Sequence, residues 1–405
     1  MAAARPTSTT ESLAHRRRGR RGAPHAITLA SAVFALVVAL SGCAGTASGD
    51  AGAGAPAITA DSALLDPLYE GTFEAPPATG PKAPADKSVF IVSCGQAAIG
   101  CSAGVKGAVD AAAAIGWSST VCDGAFGAEG AWPNCVRQGI AAHPDAIATF
   151  SIDCPAIKDA LSEAKAAGVP VISFEGVDCD DPYYGAGEPL FAAAVSPSSA
   201  LPTTAEFLVA SGKMRAAYIV ATQGNDAKVI NFQFQGNALG NYVDEGFQAG
   251  MEECSGCTVY DVPFTVADFG DLRQMADSAL LQYQDATAIA VPLENVVSAG
   301  VSQAVTASGR NGLLFVGGEG SPAGVEAVRA GGPENAFVAT PQAWWGWAAI
   351  DTTNRVLAGE SEPTVPQGLG AQIVDATHNL PSGGSSDYVG PIDFIAAYKA
   401  VWGVD

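Results

Sequence analysis

From Ser88 onward the chain alternates short apolar runs with longer amphipathic ones, and few architectures accommodate that alternation. "SVFIVSC" leads into "AGVKGAVDAAAAIG", then "SSTVCDG", "NCVRQGIAA", "AIATFSI", "PAIKDALSEAKAAG" and "PVISFEG". The continuous apolar runs have the length of buried strands, and the stretches between them have the period of helices with one apolar stripe. Strand and helix in turn imply a parallel sheet with helices on both faces. After Val195 a second series begins, with "AAYIVAT", "TVYDVPF", "AIAVPL" and "LLFVGGEG" as strands between helices such as "GNYVDEGFQAGMEE" and "DLRQMADSALLQY". The expected fold class is α/β: two Rossmann-like lobes of similar size with parallel sheets. Functional loops of such sheets lie at the carboxyl ends of the strands, so two facing lobes would line a cleft suited to a small molecule.

Before Ser88 the chain is of another kind. Residues 1–42 hold an arginine cluster from Arg16 to Arg21 and an apolar run from Ala26 to Leu40, the pattern of a secretory signal and too short for a good membrane span. Leu40, Ser41, Gly42 and Cys43 resemble a lipobox, with Cys43 as the lipidation site. Residues 43–87, rich in Ala, Gly, Pro, Ser and Thr, read as a disordered tether.

The whole chain sets 20 Lys and Arg against 41 Asp and Glu, a net charge of −21, and removing the basic leader makes it more acidic still. Phosphate contacts to nucleic acid are excluded on that ground, and adsorption to an anionic membrane is disfavoured, which leaves tethering to the lipid. Eight cysteines follow Cys43: Cys94, Cys101, Cys122, Cys135, Cys154, Cys179, Cys254 and Cys257. An even count in an exported chain reads as disulfides, with pairing of sequence neighbours the simplest arrangement; "CSGC" at Cys254 to Cys257 admits a redox or half-zinc alternative. His143 and His378 are the only histidines past the leader, and neither has a partner motif for catalysis. No Gly-rich phosphate loop is present, and "DCDDP" at Asp178 to Pro182 lacks the spaced ligands of a calcium loop. Neither an enzyme nor a cofactor or metal site is expected.

Several pieces, taken in order, resemble the type I periplasmic-binding-protein superfamily: "AKAAGVPVISFEG", "DEGFQAGMEE", "AIAVPLENVVSAGVSQAV", "LLFVGGEGSPAGVEAV" and "TTNRVLAGE". The ribose and galactose-binding group that serves ABC importers is the nearest in pattern, over about Ser88 to Asp405. The resemblance implies a three-segment hinge, near Val195, near Thr340 to Pro341 and near Val374 to Thr377. Residues 88–194 with 341–376 would then form the amino-terminal lobe, and residues 195–340 with 377–405 the other. Trp344, Trp345 and Trp347 open the first helix after the second crossing. On a helical wheel Trp345 and Trp347 join the apolar arc, while Trp344 falls with Asp351 and Arg355 on the polar side, placing it to meet a ligand or to pack on the other lobe.

Sugars are held by flat aromatic faces and by charged or amide side chains that each take two hydroxyls. Candidates after first-lobe strands are Ser93, Cys94, Gln96, Asp123, Asp153 and Glu175. Those of the second lobe are Gln223, Asn225, Phe232, Phe234, Asn237, Tyr242, Glu294, Asn295 and Glu319. The resemblance matches Glu175 and Glu319 to acidic ligand-binding positions, but puts Gly176 and Val243 where arginines are usual, with Tyr242 as a substitute. What it implies is an extracytoplasmic solute-binding lipoprotein, a monomer anchored through Cys43 to the outer face of the bacterial cytoplasmic membrane. It would close on a sugar or polyol and deliver it to an ABC permease with its ATPase. The alternatives are a sensor component signalling to a membrane receptor, and an amine-bearing or aromatic solute for the same importer role.

Overall fold

The computed structural model describes residues 62–185, 187–383 and 387–404; the leader, Cys43 and the first part of the expected tether lie outside them. A helix, α1 (Ser62–Glu70), comes first. The first lobe then runs β1 (Ser88–Ser93), α2 (Ile99–Ala114), β2 (Ser118–Asp123), α3 (Ala131–Ala142), β3 (Ala146–Phe150), α4 (Cys154–Ala166), β4 (Val171–Phe174) and the short β5 (Ala193–Ala194). All five strands are parallel, in the order β2-β1-β3-β4-β5.

The second lobe comprises α5 (Thr204–Gln223), β6 (Lys228–Phe234), α6 (Ala238–Glu252), β7 (Thr258–Phe264), α7 (Leu272–Gln282), β8 (Ala288–Ala290), the short α8 (Glu294–Val296), α9 (Ser302–Ser308), β9 (Leu314–Gly317), α10 (Pro322–Arg329) and β10 (Ala336–Ala339). The chain then crosses to α11 (Gln342–Leu357), returns for β11 (Gln372–Asp375) and ends in α12 (Phe394–Trp402). The second sheet is ordered β11-β10-β9-β8-β6-β7, with β11 antiparallel to β10 and the other pairs parallel.

Each lobe is built around one close helix pair, and glycines make the approach possible. A Cβ on Gly107 of α2 would stand 2.2 Å from the Ala343 carbonyl oxygen of α11, and one on Gly212 of α5 would stand 2.0 Å from the Val243 carbonyl oxygen of α6. No larger residue fits either crossing.

Three expectations need correction. "AAYIVAT" is the second half of α5 rather than a strand, since a fully buried helix and a buried strand both read as an unbroken apolar run. The lobe boundaries also shift: β11 joins the second sheet, so the third crossing precedes Gln372, and α12 returns to the first lobe on α11. Finally, residues 62–87 are not a loose tether. α1 packs on α5 and β11, and the segment after it bonds along the hinge and α11, with the Thr72 amide donating to the Ala371 carbonyl at 3.0 Å and Arg355 Nη2 to the Thr79 carbonyl at 2.7 Å. Its prolines, which suggested a tether, remove donors and hold the strap extended while its carbonyls accept from α11.

That strap and α12 decide the fate of the tryptophans. Trp345 and Trp347 are buried as the wheel predicts, but Trp344 is buried too, stacked between Phe73 and Phe394 with its Nε1 donating to the Tyr398 hydroxyl at 3.1 Å. It does not reach the cleft, because the polar side of α11 is covered as well. Asp351, fully buried, accepts from Arg355 Nε (2.7 Å), Trp402 Nε1 (2.9 Å) and Gln367 Nε2 (3.1 Å). Among the described residues the eight cysteines form four disulfides between sequence neighbours: Cys94–Cys101, Cys122–Cys135, Cys154–Cys179 and Cys254–Cys257.

Candidate functional site

The carboxyl ends of the strands of both sheets meet across a cleft and enclose a cavity of about 350 Å³. From the first lobe come the Cys94–Cys101 disulfide after β1, Phe126 and Trp132 after β2, Asp153 after β3, and Glu175 after β4, with Tyr184 further on. From the second come Phe234 and Asn237 after β6, Thr265 and Phe269 after β7, Asn295 after β8, and Glu319 after β9.

Glu175 and Glu319 share the floor. Gln342, the first residue of α11, donates its one amide nitrogen towards both, at 3.4 Å to Glu175 Oε1 and 3.2 Å to Glu319 Oε1. Burial first, and the Glu319 charge second, push the Glu175 carboxyl up to about 8. Burial pushes Glu319 up to about 7 against the Glu294 amide and the Arg215 charge, which favour the anion. Arg215 comes from α5, is buried behind Glu319, and donates Nη2 to the Pro292 carbonyl at 3.3 Å. Its own pKa is lowered to about 10 by burial.

Asp153 binds the lobes together. Its Oδ2 accepts from the Tyr184 hydroxyl (2.7 Å) and, across the cleft, from the Ala238 amide at the start of α6 (3.0 Å), while Oδ1 accepts from the Val177 amide. The N-terminus of α6 favours an anion there. Further bonds between lobes join Asn295 Oδ1 to the Ile99 amide (2.9 Å), Asn241 Nδ2 to the Tyr183 hydroxyl (2.6 Å), and the Tyr242 hydroxyl to Asp181.

Of the residues expected from sequence to hold a ligand, Cys94, Asp153, Glu175, Phe234, Asn237, Asn295 and Glu319 line the cavity. The others do not. Ser93 and Asp123 build the loop after β1: Ser93 Oγ accepts from Gln96 Nε2 at 2.8 Å, and Asp123 accepts from the Gln96 amide at 2.9 Å. Gln223 and Asn225 end α5 and precede β6, at the opposite end of the sheet from the cleft. Phe232 points from β6 into the core, Glu294 is buried behind the floor, and Tyr242 serves as a latch outside the wall. Trp344 lies in the core.

Sequence reading missed Phe126, Trp132, Tyr184, Phe269, Arg215 and Gln342. Arg215 had a signal, a cation with Lys213 two residues before it, at the head of the apolar stretch "AAYIVA" of α5. The rings had none, because they stand on irregular segments or at a helix start. The two positions without arginine have structural reasons: a Cβ on Gly176 would lie 2.5 Å from the Ile152 carbonyl oxygen, and Val243 is buried against Gly212. Asp178 spends its carboxylate on the Cys179, Leu190 and Phe191 amides, and the neighbouring Cys154 and Cys179 are joined in a disulfide, so the "DCDDP" turn is a turn former.

A sequence profile described as a periplasmic binding protein domain matches residues 90–361. No curated protein matches the chain. Among solved structures it is similar to an ABC transporter solute-binding protein from Agrobacterium vitis with bound allitol, at 19% identity and a TM-score of 0.59 over 72% of this chain and 96% of that one. Similar too is one from Mycobacterium smegmatis with bound glycerol, at 21% identity and a TM-score of 0.60 over 76% of this chain and 100% of that one. The arabinose ABC transporter component of Shewanella sp. ANA-3 matches at 16% identity, with a TM-score of 0.60, over 78% and 95% of the two chains. At these identities the likeness is one of fold: two α/β lobes around a cleft. With the profile spanning most of the two lobes, the chain belongs to the periplasmic binding protein family.

Proposed function

We propose that this protein is the extracytoplasmic solute-binding component of an ABC importer, which takes one small solute into the cavity by closure of its lobes and hands it to a membrane permease without chemical change. The observation that carries this reading is the cavity itself, walled by strand ends of both lobes and spanned by bonds that exist only when the lobes meet. Hinge closure converts occupancy into a shape that a permease can read. Attachment to the membrane is assigned to a lipid on Cys43. Neutral polyols are one class such a cleft admits, since two of the similar structures hold allitol and glycerol.

The test is a thermal-shift and calorimetric survey of the purified protein against sugars, polyols, amines and small aromatics. A solute at about 100 times its dissociation constant adds roughly 2.7 kcal/mol. Saturable one-to-one binding with the solute recovered intact supports the reading, and conversion of the solute overturns it. Cys43→Ala is expected to move the protein from the membrane fraction to the soluble fraction, and unchanged fractionation would remove the lipid anchor from the proposal.

A further inference from the structure

The wall of the cavity is largely apolar and aromatic. Among its lining residues there is no Lys, Arg or His, and rings from both lobes dominate it: Phe126, Trp132, Phe234 and Phe269. Much of its polar capacity is already committed. Asn295 Oδ1 accepts from the Ile99 amide, Asn237 Oδ1 from the Gly240 amide, and Asp153 from three donors.

The floor carries two acids. Glu175 and Glu319 share one amide nitrogen, which also donates to the Thr340 hydroxyl at 3.1 Å; Ser151 bonds Glu175, the Glu294 amide donates to Glu319 at 3.3 Å, and among the described residues the Gln342 Oε1 has no partner. Arg215, turned to the Pro292 carbonyl behind Glu319, offsets one of the two charges. We propose, resting on the solute-binding reading above, that the solute is an organic cation with an apolar body, its ammonium group set against Glu175 and Glu319 and its body among the rings of Phe126, Trp132, Phe234 and Phe269.

Buried carboxylates gain most from a counter-charge when no water reaches them, and aromatic faces attract cations in the same setting. Burial pushes the two carboxyls up to about 8 and about 7, so near neutral pH the cation displaces protons. The other charged groups packed around them are Glu294 at the start of α8, Glu334 before β10, Asp153 before α4 and Arg215 on α5. Proton release therefore accompanies binding, and affinity rises with pH between about 6 and 8.

The experiment is isothermal calorimetry of the full-length protein in detergent, with benzylamine, benzyltrimethylammonium, benzyl alcohol, allitol and glycerol as probes. Both cations are expected to bind at least about 10-fold more tightly than benzyl alcohol, with a heat that depends on the ionisation enthalpy of the buffer. Glu319→Gln and Glu175→Gln keep the side-chain shape, and each is expected to weaken the cations about 10-fold or more while leaving benzyl alcohol within about 2-fold. Their thermal midpoints, equal to or above that of the parent, would show that both variants are folded. Binding of allitol or glycerol with both cations silent overturns the cation and leaves solute capture standing. Equal affinity for benzylamine and benzyl alcohol also overturns it, and silence of every probe removes support from both readings.

Discussion

Glu175 sits at φ 61°, a left-handed backbone that few residues other than glycine adopt, immediately before Gly176. That turn carries its carboxyl into the closed cavity, where burial holds a proton on it. Burial acts in the same direction on Glu294, pushed up to about 7, and on Glu319, Glu334, Asp153 and Asp387. Through these groups the folded chain binds more protons than the unfolded one between about pH 4.5 and 8, so their contribution to stability is full below that window and is lost as pH rises through it. Carboxylates held below their ordinary value, Asp145, Asp375, Glu74, Glu163, Asp268 and Asp285, act below the window and do not offset the trend. The thermal midpoint of the ligand-free protein is expected to fall from pH 5 to pH 8, and Glu175→Gln is expected to flatten that slope; identical slopes would assign the proton elsewhere. At Trp344 the expectation concerns packing. Trp344→Ala removes a ring stacked on Phe73 and Phe394 and one donor to the Tyr398 hydroxyl, which keeps its bond to Gln367 Oε1, costing about 3–5 kcal/mol. Protein that still folds should bind its solute with unchanged affinity, and a loss of affinity in well-folded protein would return the ring to the site.

The same residue shows, at the scale of elements, what sequence can and cannot give. The period of α11 separates an apolar face from one bearing Asp351 and Arg355, and a single helix with that pattern turns its charges to solvent. The exception here is made by α12 and by the strap after α1, which lie far from α11 in sequence and leave no mark on its pattern. Glu175 and Glu319 were legible because they follow strands of parallel sheets, although Gln96, which also follows one, stays out of the cavity. Phe126 and Trp132 were not, since the first lies in the irregular chain between β2 and α3 and the second in the first turn of α3. Removal of α12 by a stop codon in place of Phe394 takes away the Trp402 donor to Asp351 and uncovers Trp344 and Trp347. A buried acid would then face solvent with part of its bonding gone. Denaturant titration is expected to show a lower midpoint, and an unchanged one would mean that α12 only decorates α11.

For the whole molecule, if the lobes close on solute as proposed, affinity depends on how much of the population is closed, because both lobes wall the cavity. Tyr242 offers a way to change that population without touching the cavity wall. It stands on α6 of the second lobe, and its hydroxyl donates to Asp181, beside Tyr183, on the first. Tyr242→Phe keeps the ring and its packing and removes one charge-assisted bond that exists only in the closed form. Such bonds are worth about 1.5–3 kcal/mol, so the closed fraction should drop by roughly 10-fold or more if it is the minor state before binding, and the apparent dissociation constant should rise by the same factor. If the closed state already dominates, the affinity shift is smaller, and the change appears instead as a larger radius of gyration in solution scattering of the ligand-free protein. Solute should restore the compact form in both parent and variant, with faster dissociation from the variant. An unaltered affinity together with an unaltered radius would mean that closure is held by Asp153 and the Ala238 amide without help from this tyrosine.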